Sequence, residues 1–350
     1  MIQLDIFPDL IKQQQQSTQI IINADCLDEM GQMASNSIDC IVTDPPYGLH
    51  FMGKDWDGRI PAIEIWAEAL RVAKPGAHLL AFGGSRTHHH LMCAIEGAGW
   101  EIRDVIMWIY GSGFPKSHNH FGIPGYGTAL KPAYEPIILA MKPCDGTFAQ
   151  NAEKWGVAGI NIDECRIDTN EDLTRNCLGY ASAVNEGYKR PYHDHAEKKV
   201  YGSAKGRWPA NVIFDGEAAQ ELDQMTGISK SPTGIVKGAG RSGGIKGRTV
   251  GYHYQQGYGD SGGASRFFYC AKASSSERSK GNKHPTVKPL KLMEYLLKLV
   301  MPPNPNAICL DPFVGSGTTI LAAKRLGFNA IGIEKEVDYV EIAKKRVENG

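Results

Sequence analysis

Residues 308–327 read ICLDPFVGSGTTILAAKRLG. A short apolar run ends in Asp311, a turn carries Gly315 and Gly317, and a helix-like run from Thr318 closes at Gly327. Strand, tight turn and helix in that order form the repeating unit of an α/β sheet. Glycines in the turn let backbone approach a ligand, and Thr318 is suited to start the helix. The next apolar run, NAIGIEKE, ends at Glu334, 23 residues after Asp311 (334 − 311). An acid at about that distance commonly holds ribose hydroxyls in nucleotide-binding α/β folds. The turn is not a dinucleotide fingerprint, because the third glycine of G-x-G-x-x-G would fall at Ile320. It is not a P-loop either, because no G-K-S/T follows. It suits a nucleoside without a pyrophosphate, and an ordinary tight turn would carry the same residues.

Working outward, the same alternation recurs. QIIINAD and IDCIVTDPP read as strands, and PAIEIWAEALRVAK as a helix with Ile63, Trp66, Ala67 and Leu70 on one face, stopped by Pro75-Gly76. HLLAFGG, EIRDVIMWIY and EPIILAMK read as further strands, with a helix over SRTHHHLMCAIEGAG. After Pro289 come the amphipathic PLKLMEYLLKLV and, last, VDYVEIAKKRV. Strands separated by helices predict a doubly wound, mostly parallel sheet. Between Cys144 and Lys283 regularity collapses into Gly, Ser, Asn and charge, with only short apolar runs such as ANVIF and RFFY. That stretch is too long for an ordinary connection and reads as an insertion with some structure of its own.

A second stretch raises a chemical question. Residues 43–48 read TDPPYG, straight after an apolar strand. Two prolines give up two backbone N–H groups and stiffen the chain. The result is a rigid corner with free carbonyls, a carboxylate before it and a flat ring after it. Such a corner suits a planar group that carries hydrogen-bond donors.

Composition narrows the setting. The start of the chain lacks a basic region followed by a long apolar core, and no apolar run reaches membrane-spanning length, so neither signal peptide nor transmembrane helix is expected. The eight cysteines include no C-x-x-C pair, which suggests neither a zinc site nor a disulfide framework and fits a reducing cytoplasm. Net charge is zero but segregated. Residues 1–70 hold eleven acids against three bases, and residues 230–291 hold twelve bases against two acids. A local excess of that size attracts a polyanion although the total cancels. Arg241, Lys246 and Arg248, spaced among glycines and tyrosines in KGAGRSGGIKGRTVGYHYQQGYGD, are the candidate contacts for such a polyanion.

Taken together, DPPY after one strand and DPFVGSGTT after another resemble the amino-methyltransferases of DNA, which use S-adenosylmethionine. HPTVKPLKLMEYLL resembles the cofactor-side segment of that family, and NADCLDEM its acidic segment. The catalytic motif comes first, the insertion next and the cofactor motif last, which resembles the β-type, circularly permuted arrangement. The resemblance covers roughly residues 18–143 and 284–347, as catalytic and cofactor-binding halves of one Rossmann-like domain, with 144–283 as the target-recognition insertion. Such a permutation needs chain ends that lie close together.

The family resemblance also implies roles. Asp44 and the carbonyl of Pro45 would accept the two hydrogens of an exocyclic amino group, Pro46 would keep the corner rigid, and Tyr47 would stack on the base. Asp44 would also receive the proton released afterwards. Glu334 would hold the ribose and Asp25 the adenine end of the cofactor. Asp311, Phe313, Gly315, Gly317 and Thr318 would line its methionine portion, with Thr286 and Lys288 closing it; Lys288 equally suits a phosphate. The target base would be flipped out of duplex DNA. DPPY rather than SPPY points to adenine N6, with cytosine N4 as the alternative. A homodimer follows from the resemblance alone.

Other features are weaker. His88-His89-His90 point to different faces of a helix and do not read as a metal site, and YHDH at 192–195 is similar. Gly111, Gly113, Lys116 and Asn119 in WIYGSGFPKSHNH line a base pocket or simply form a glycine loop. The rivals are a protein or RNA methyltransferase of the same fold and a catalytically silent DNA-binding module. Protein-glutamine methylating enzymes resemble this chain but carry Asn at the position of Asp44.

Overall fold

The structure is a computed structural model. It describes residues 17–49, 57–113, 117, 123–169, 175–177, 199–201, 205–230, 233–239, 252–271 and 287–350. The first half runs β1 (Gln19–Asn23), α1 (Cys26–Gln32), β2 (Ile38–Thr43), α2 (Ile63–Val72), β3 (Ala73–Phe82), α3 (His88–Gly97), β4 (Glu101–Ile109) and β5 (Tyr134–Met141). The middle holds α4 (Phe148–Trp155), β6 (Arg175–Cys177), β7 (Lys199–Tyr201), β8 (Val212–Asp215), α5 (Gly216–Thr226), β9 (Ser229–Lys230), β10 (Thr233–Ala239), β11 (Tyr252–Tyr258), β12 (Ser261–Gly262) and β13 (Tyr269–Ala271). The last part runs α6 (Leu290–Val300), β14 (Ile308–Asp311), α7 (Thr318–Leu326), β15 (Asn329–Glu334) and α8 (Val337–Asn349).

Nine strands form one sheet in the order β1-β15-β14-β2-β3-β5-β4-β8-β13. Every neighbouring pair is parallel except those of β5, which runs against both β3 and β4. Both faces of the central strands are covered, which explains why they read as continuous apolar runs. Cys40, Val42, Leu80, Phe82 and Ile137 face Leu292, Leu296 and Ile320 of α6 and α7. Their neighbours Ile41, Leu79 and Ile138 face Met30, Trp66, Leu91 and Ile95 of α1, α2 and α3. This is the doubly wound, Rossmann-like sheet expected. The first strand pairs with the last, Gln19 against Ala330 through Asn23 against Glu334, so the two ends of the domain meet as the permuted order requires.

Three local readings are corrected. The buried face of α2 is Trp66, Ala69 and Val72, while Ile63 and Ala67 are exposed. Pro75-Gly76 does not end that helix. It lies inside β3, where the pairing with β2 shifts register between Ile38 and Cys40, the signature of a bulge. Gly76 has φ +77°, and a side chain there would strike the buried Asn151, whose amide donates to the Pro75 carbonyl. Finally, the middle is not wholly hung off the sheet. The run ANVIF supplies β8, which pairs Trp108 with Ile213, and the run RFFY leads into β13, which pairs with β8 in turn. Elsewhere in the middle, β10 and β11 make an antiparallel hairpin, and β6 with β7 and β9 with β12 make short antiparallel pairs.

Candidate active site

The carboxyl ends of β14 and β2 are neighbours at the point where the chain winds away in opposite directions, the usual place for a ligand in such sheets. β2 is buried along its length and delivers Thr43 and then Asp44-Pro45-Pro46-Tyr47 to that edge. The loop after the prolines is held by Asp57, which is buried. Its Oδ1 accepts from the backbone N–H of Tyr47 at 2.6 Å and of Gly48 at 3.1 Å, and its Oδ2 from Leu49 at 3.2 Å. A carboxylate that ties three successive amides leaves Tyr47 little freedom.

Asp44 is not a lone acid. Its Oδ1 accepts from the Tyr47 hydroxyl at 2.8 Å, and its Oδ2 pairs with Lys288 Nζ at 2.8 Å. Lys288 also lies 3.1 Å from Glu135 Oε2 and donates to the Tyr47 hydroxyl oxygen at 3.1 Å. The same Glu135 oxygen is 3.1 Å from the Tyr47 hydroxyl. Four side chains from three parts of the chain thus close a ring. Lys288 sits over the rings of Phe82 and Tyr47, 4.8 and 5.3 Å from their centroids. Burial alone would lower its pKa, but Asp44 and Glu135 outweigh it and hold the ammonium charged. Burial, then the two carboxylate charges, push the Tyr47 phenol well above its usual range, so it stays a donor.

The second half of the site is built by β14, α7 and β15. Asp311 is buried, and its carboxylate is fully engaged. Oδ1 accepts from Thr43 Oγ1 at 2.6 Å and from the Phe313 amide at 3.1 Å, and Oδ2 from Thr319 Oγ1 at 2.5 Å. Burial raises its pKa to about 6 against the pull of those donors. Gly315 and Gly317 have φ +51° and +84°, which keeps side chains out of the turn. Glu334 Oε2 accepts the Gly315 amide at 2.9 Å and Oε1 the Glu336 amide at 2.9 Å, and burial raises its pKa. Each oxygen keeps a lone pair for a hydroxyl donor. Asp25 caps α1 through the Leu27 amide and pairs with Lys335 at 3.1 Å. Burial pulls its pKa up, but Lys335 and the Leu27 amide more than offset that, leaving it below the ordinary value. Asp25 follows β1 and Glu334 ends β15, and these strands are paired, so the two acids share one edge.

The structure therefore brings Asp44, Pro45, Pro46 and Tyr47 into one cluster, and Asp25, Asp311, Phe313, Gly315, Gly317, Thr318 and Glu334 along the neighbouring strand ends. Phe313 packs on Trp66, ring centroids 6.3 Å apart, rather than standing free. The Thr318 hydroxyl accepts from Arg346 at 3.2 Å, and the same guanidinium nitrogen grips the Ser316 carbonyl and hydroxyl at 2.6 and 2.8 Å. Lys288 lies beside the acid-and-proline corner, paired with Asp44 and Glu135. Thr286, Lys116, Asn119, Arg241, Lys246, Arg248 and the 192–195 stretch lie outside the described residues. Gly111 is fixed by its amide on the Asp215 carboxylate, at 3.2 and 3.3 Å, and a side chain at Gly113 would collide with the Pro132 carbonyl. Sequence reading missed Glu135, Asp57, Thr43 and Thr319. An acid at the head of the apolar run EPIILAMK was the one visible signal for Glu135.

The chain is similar to known proteins. A model of an N6/N4 DNA methylase family matches residues 38–345. The type II methyltransferase M.HindIII of Haemophilus influenzae is 23% identical, over 93% of this chain and 94% of that protein. The DNA adenine methyltransferase YhdJ of Escherichia coli is 22% identical, over 94% of this chain and 82% of that one. A shorter stretch of 70 residues is 51% identical to the type II methyltransferase M2.LlaDCHI of Lactococcus lactis, and spans 19% of this chain and only 24% of that relative. Among solved structures, the cytosine-N4-specific PvuII DNA methyltransferase aligns over 94% of this chain and 86% of its own, with TM-score 0.49 and 16% identity.

Proposed function

The chain belongs to the N6/N4 DNA methylase family, and from that premise we infer that it methylates the exocyclic N6 of adenine in duplex DNA, with S-adenosylmethionine as donor. One observation carries the reading: the Thr43–Asp311 hydrogen bond at 2.6 Å ties the acid-and-proline corner to the glycine turn, so a base and a nucleoside cofactor would meet there. The residues present suit that cofactor. Gly315 and Gly317 clear the turn, and the half-buried Glu334 keeps acceptor capacity for ribose hydroxyls, with Asp25 on the same edge for the adenine end.

S-adenosylmethionine, when bound, supplies a methyl group on a positively charged sulfur. The chain's own residues do the rest. An exocyclic amine is a poor nucleophile while its lone pair is delocalised into the ring. Asp44 and the Pro45 carbonyl accept its two N–H donors and draw the nitrogen toward tetrahedral geometry. The proline pair keeps those acceptors aimed, and the Asp57 clamp keeps the Tyr47 ring placed for stacking. As the new N–C bond forms, the nitrogen loses a proton, which Asp44 is placed to receive. A base within a duplex must first leave the stack, at a cost of a few kcal/mol that stacking and insertion contacts offset.

Adenine is favoured over cytosine by the aspartate of DPPY, and the similarity to a DNA adenine methyltransferase supports it. We place target recognition in residues 144–283, including the basic glycine-rich stretch. We infer a homodimer from the family arrangement; sedimentation of a monomer at micromolar concentration, with and without DNA, would remove that inference. Among the described residues no helix is long and apolar enough to cross a membrane, and the reducing cytoplasm read from the cysteines is the setting we infer. The deciding experiment incubates the protein with labelled S-adenosylmethionine and duplex DNA, RNA or protein, then identifies modified nucleosides by mass spectrometry. N6-methyladenine is expected. N4-methylcytosine alone would overturn the base assignment, and label only in RNA or protein would overturn the substrate class.

A further inference from the structure

Tyr47 has one hydroxyl proton and two carboxylates within reach, Asp44 Oδ1 at 2.8 Å and Glu135 Oε2 at 3.1 Å. It can donate to only one of them at a time. Both oxygens of Asp44 are already engaged, Oδ1 by the Tyr47 hydroxyl and Oδ2 by Lys288, which leaves one lone pair on each. A target amine would have to share an Asp44 oxygen with one of those partners, and its bond to that oxygen strengthens if the partner lets go. Lys288 is a poor candidate. It is buried between two carboxylates, and separating an ammonium from its counter-ion in such a place is expensive. The Tyr47 proton needs only a rotation about the C–O bond to reach Glu135. No heavy atom moves, and such rotations occur on the fastest side-chain timescales.

We propose that Glu135 is a positioning residue which takes the Tyr47 hydroxyl proton as a hydrogen bond when the target base arrives, releasing Asp44 Oδ1 for the amine. The Tyr47 O–H bond is not broken; its direction changes. Lys288 stays on Asp44 Oδ2 and Glu135 throughout, donating also to the phenol oxygen, which suits a phenol whose own proton points to either acid. Without Glu135, the phenol would have Asp44 as its one carboxylate acceptor and would compete with the substrate for it. The proposal rests on the functional reading above and adds to it a device for keeping the acid occupied until a base displaces the phenol.

The test is a double-mutant cycle read by DNA methylation under single-turnover conditions. Glu135→Ala and the volume-filling Glu135→Leu should each lower the rate roughly 10- to 100-fold, the worth of one or two hydrogen bonds. Donor affinity, measured by calorimetry, should stay within about threefold. Glu135→Gln, whose amide oxygen can still accept the phenol, should restore most of the rate. The discriminating arm is Tyr47→Phe, which keeps the ring but removes the competing proton. In that background, loss of Glu135 should cost less than about threefold. Equal losses in both backgrounds would mean that Glu135 merely neutralises Lys288, and would overturn the proposal. So would a Leu variant of normal rate, or a Gln variant as slow as the Ala variant. Should the wild-type protein methylate no DNA at all, the functional reading itself falls and this inference with it.

Discussion

Thr43, the last residue of β2, donates its hydroxyl to Asp311, the last residue of β14, over 2.6 Å. The two strands are adjacent and parallel, and the two motifs of the site begin at these residues. Asp311 therefore joins the two halves of the site through its own hydrogen bonds. Its oxygens hold the strand before the catalytic corner and, through Thr319, the helix behind the glycine turn.

That joint makes stability depend on pH. Asp311 titrates near 6 in the folded protein, against about 3.8 when unfolded. The folded state binds the extra proton between those values. The stabilisation from this group is fully present below about pH 4 and is lost as pH rises through about 6. The loss amounts to about 3 kcal/mol. Denaturant unfolding from pH 4 to 8 should show this decline in the wild type, and Asp311→Asn should flatten that part of the curve. An unchanged curve in the variant would assign the pH dependence elsewhere.

Asp44→Ala removes the acceptor for the amine but touches nothing in the glycine turn. Turnover should fall roughly 100- to 1000-fold or more. Affinity for S-adenosylmethionine by calorimetry should change little. Lys288 keeps Glu135 but loses its second carboxylate, so thermal denaturation should also show a loss of about 1–3 kcal/mol. Full activity in this variant would sink the mechanism.

Gly317 precedes α7 with φ +84°, and a methyl group there would lie 2.8 Å from the Ala343 side chain of α8. Gly317→Ala has both the conformational strain and the clash to absorb. A stability loss of about 1–3 kcal/mol is expected. Because the displaced residue opens the turn, donor affinity should weaken as well. A variant that melts lower yet binds the donor normally would place the cofactor away from this turn.

Arg241, Lys246 and Arg248 should contribute to DNA binding through phosphate. Replacing all three with alanine should weaken binding and reduce the slope of log affinity against log salt by about one unit per lost contact. Binding measured at several salt concentrations decides this, and identical slopes would exclude the segment from the interface.

The legible parts of this molecule were those whose partners lie nearby in the chain. ICLDPFVGSGTT and TDPPYG each carry their own strand, turn and special residues, so the sheet and both loops could be read locally. Glu135 could not, because its partners Lys288 and Tyr47 are far from it in sequence and an acid opening an apolar strand has no distinctive spacing. The ion pairs of Lys288 were hidden for the same reason; its neighbours in sequence suggested the cofactor, while its neighbours in space include Asp44 and Glu135. Pro75-Gly76 carries the usual signal of a helix stop, but the same residues serve a bulge, and only the pairing register of β2 with β3 tells them apart. The runs ANVIF and RFFY were too short to assign by pattern, since a three- or four-residue strand is defined by the neighbour it pairs with.

The pairing of β1 with β15 has a consequence for how an active enzyme comes into being. Asn23 reaches the Glu334 carbonyl across 311 positions of sequence, at 2.9 Å. During synthesis the acid of the catalytic corner emerges long before Lys288, the glycine turn or the strand that completes the edge. Closing so long a loop is slow and leaves the first half waiting, with its strand edges open to wrong partners and to chaperones. A ribosome-bound or truncated chain would hold Asp44 without its counter-ion and without a donor site. On the proposed function, the counter-ion of Asp44 and the donor site come together only once β14 and β15 have docked beside β2 and β1.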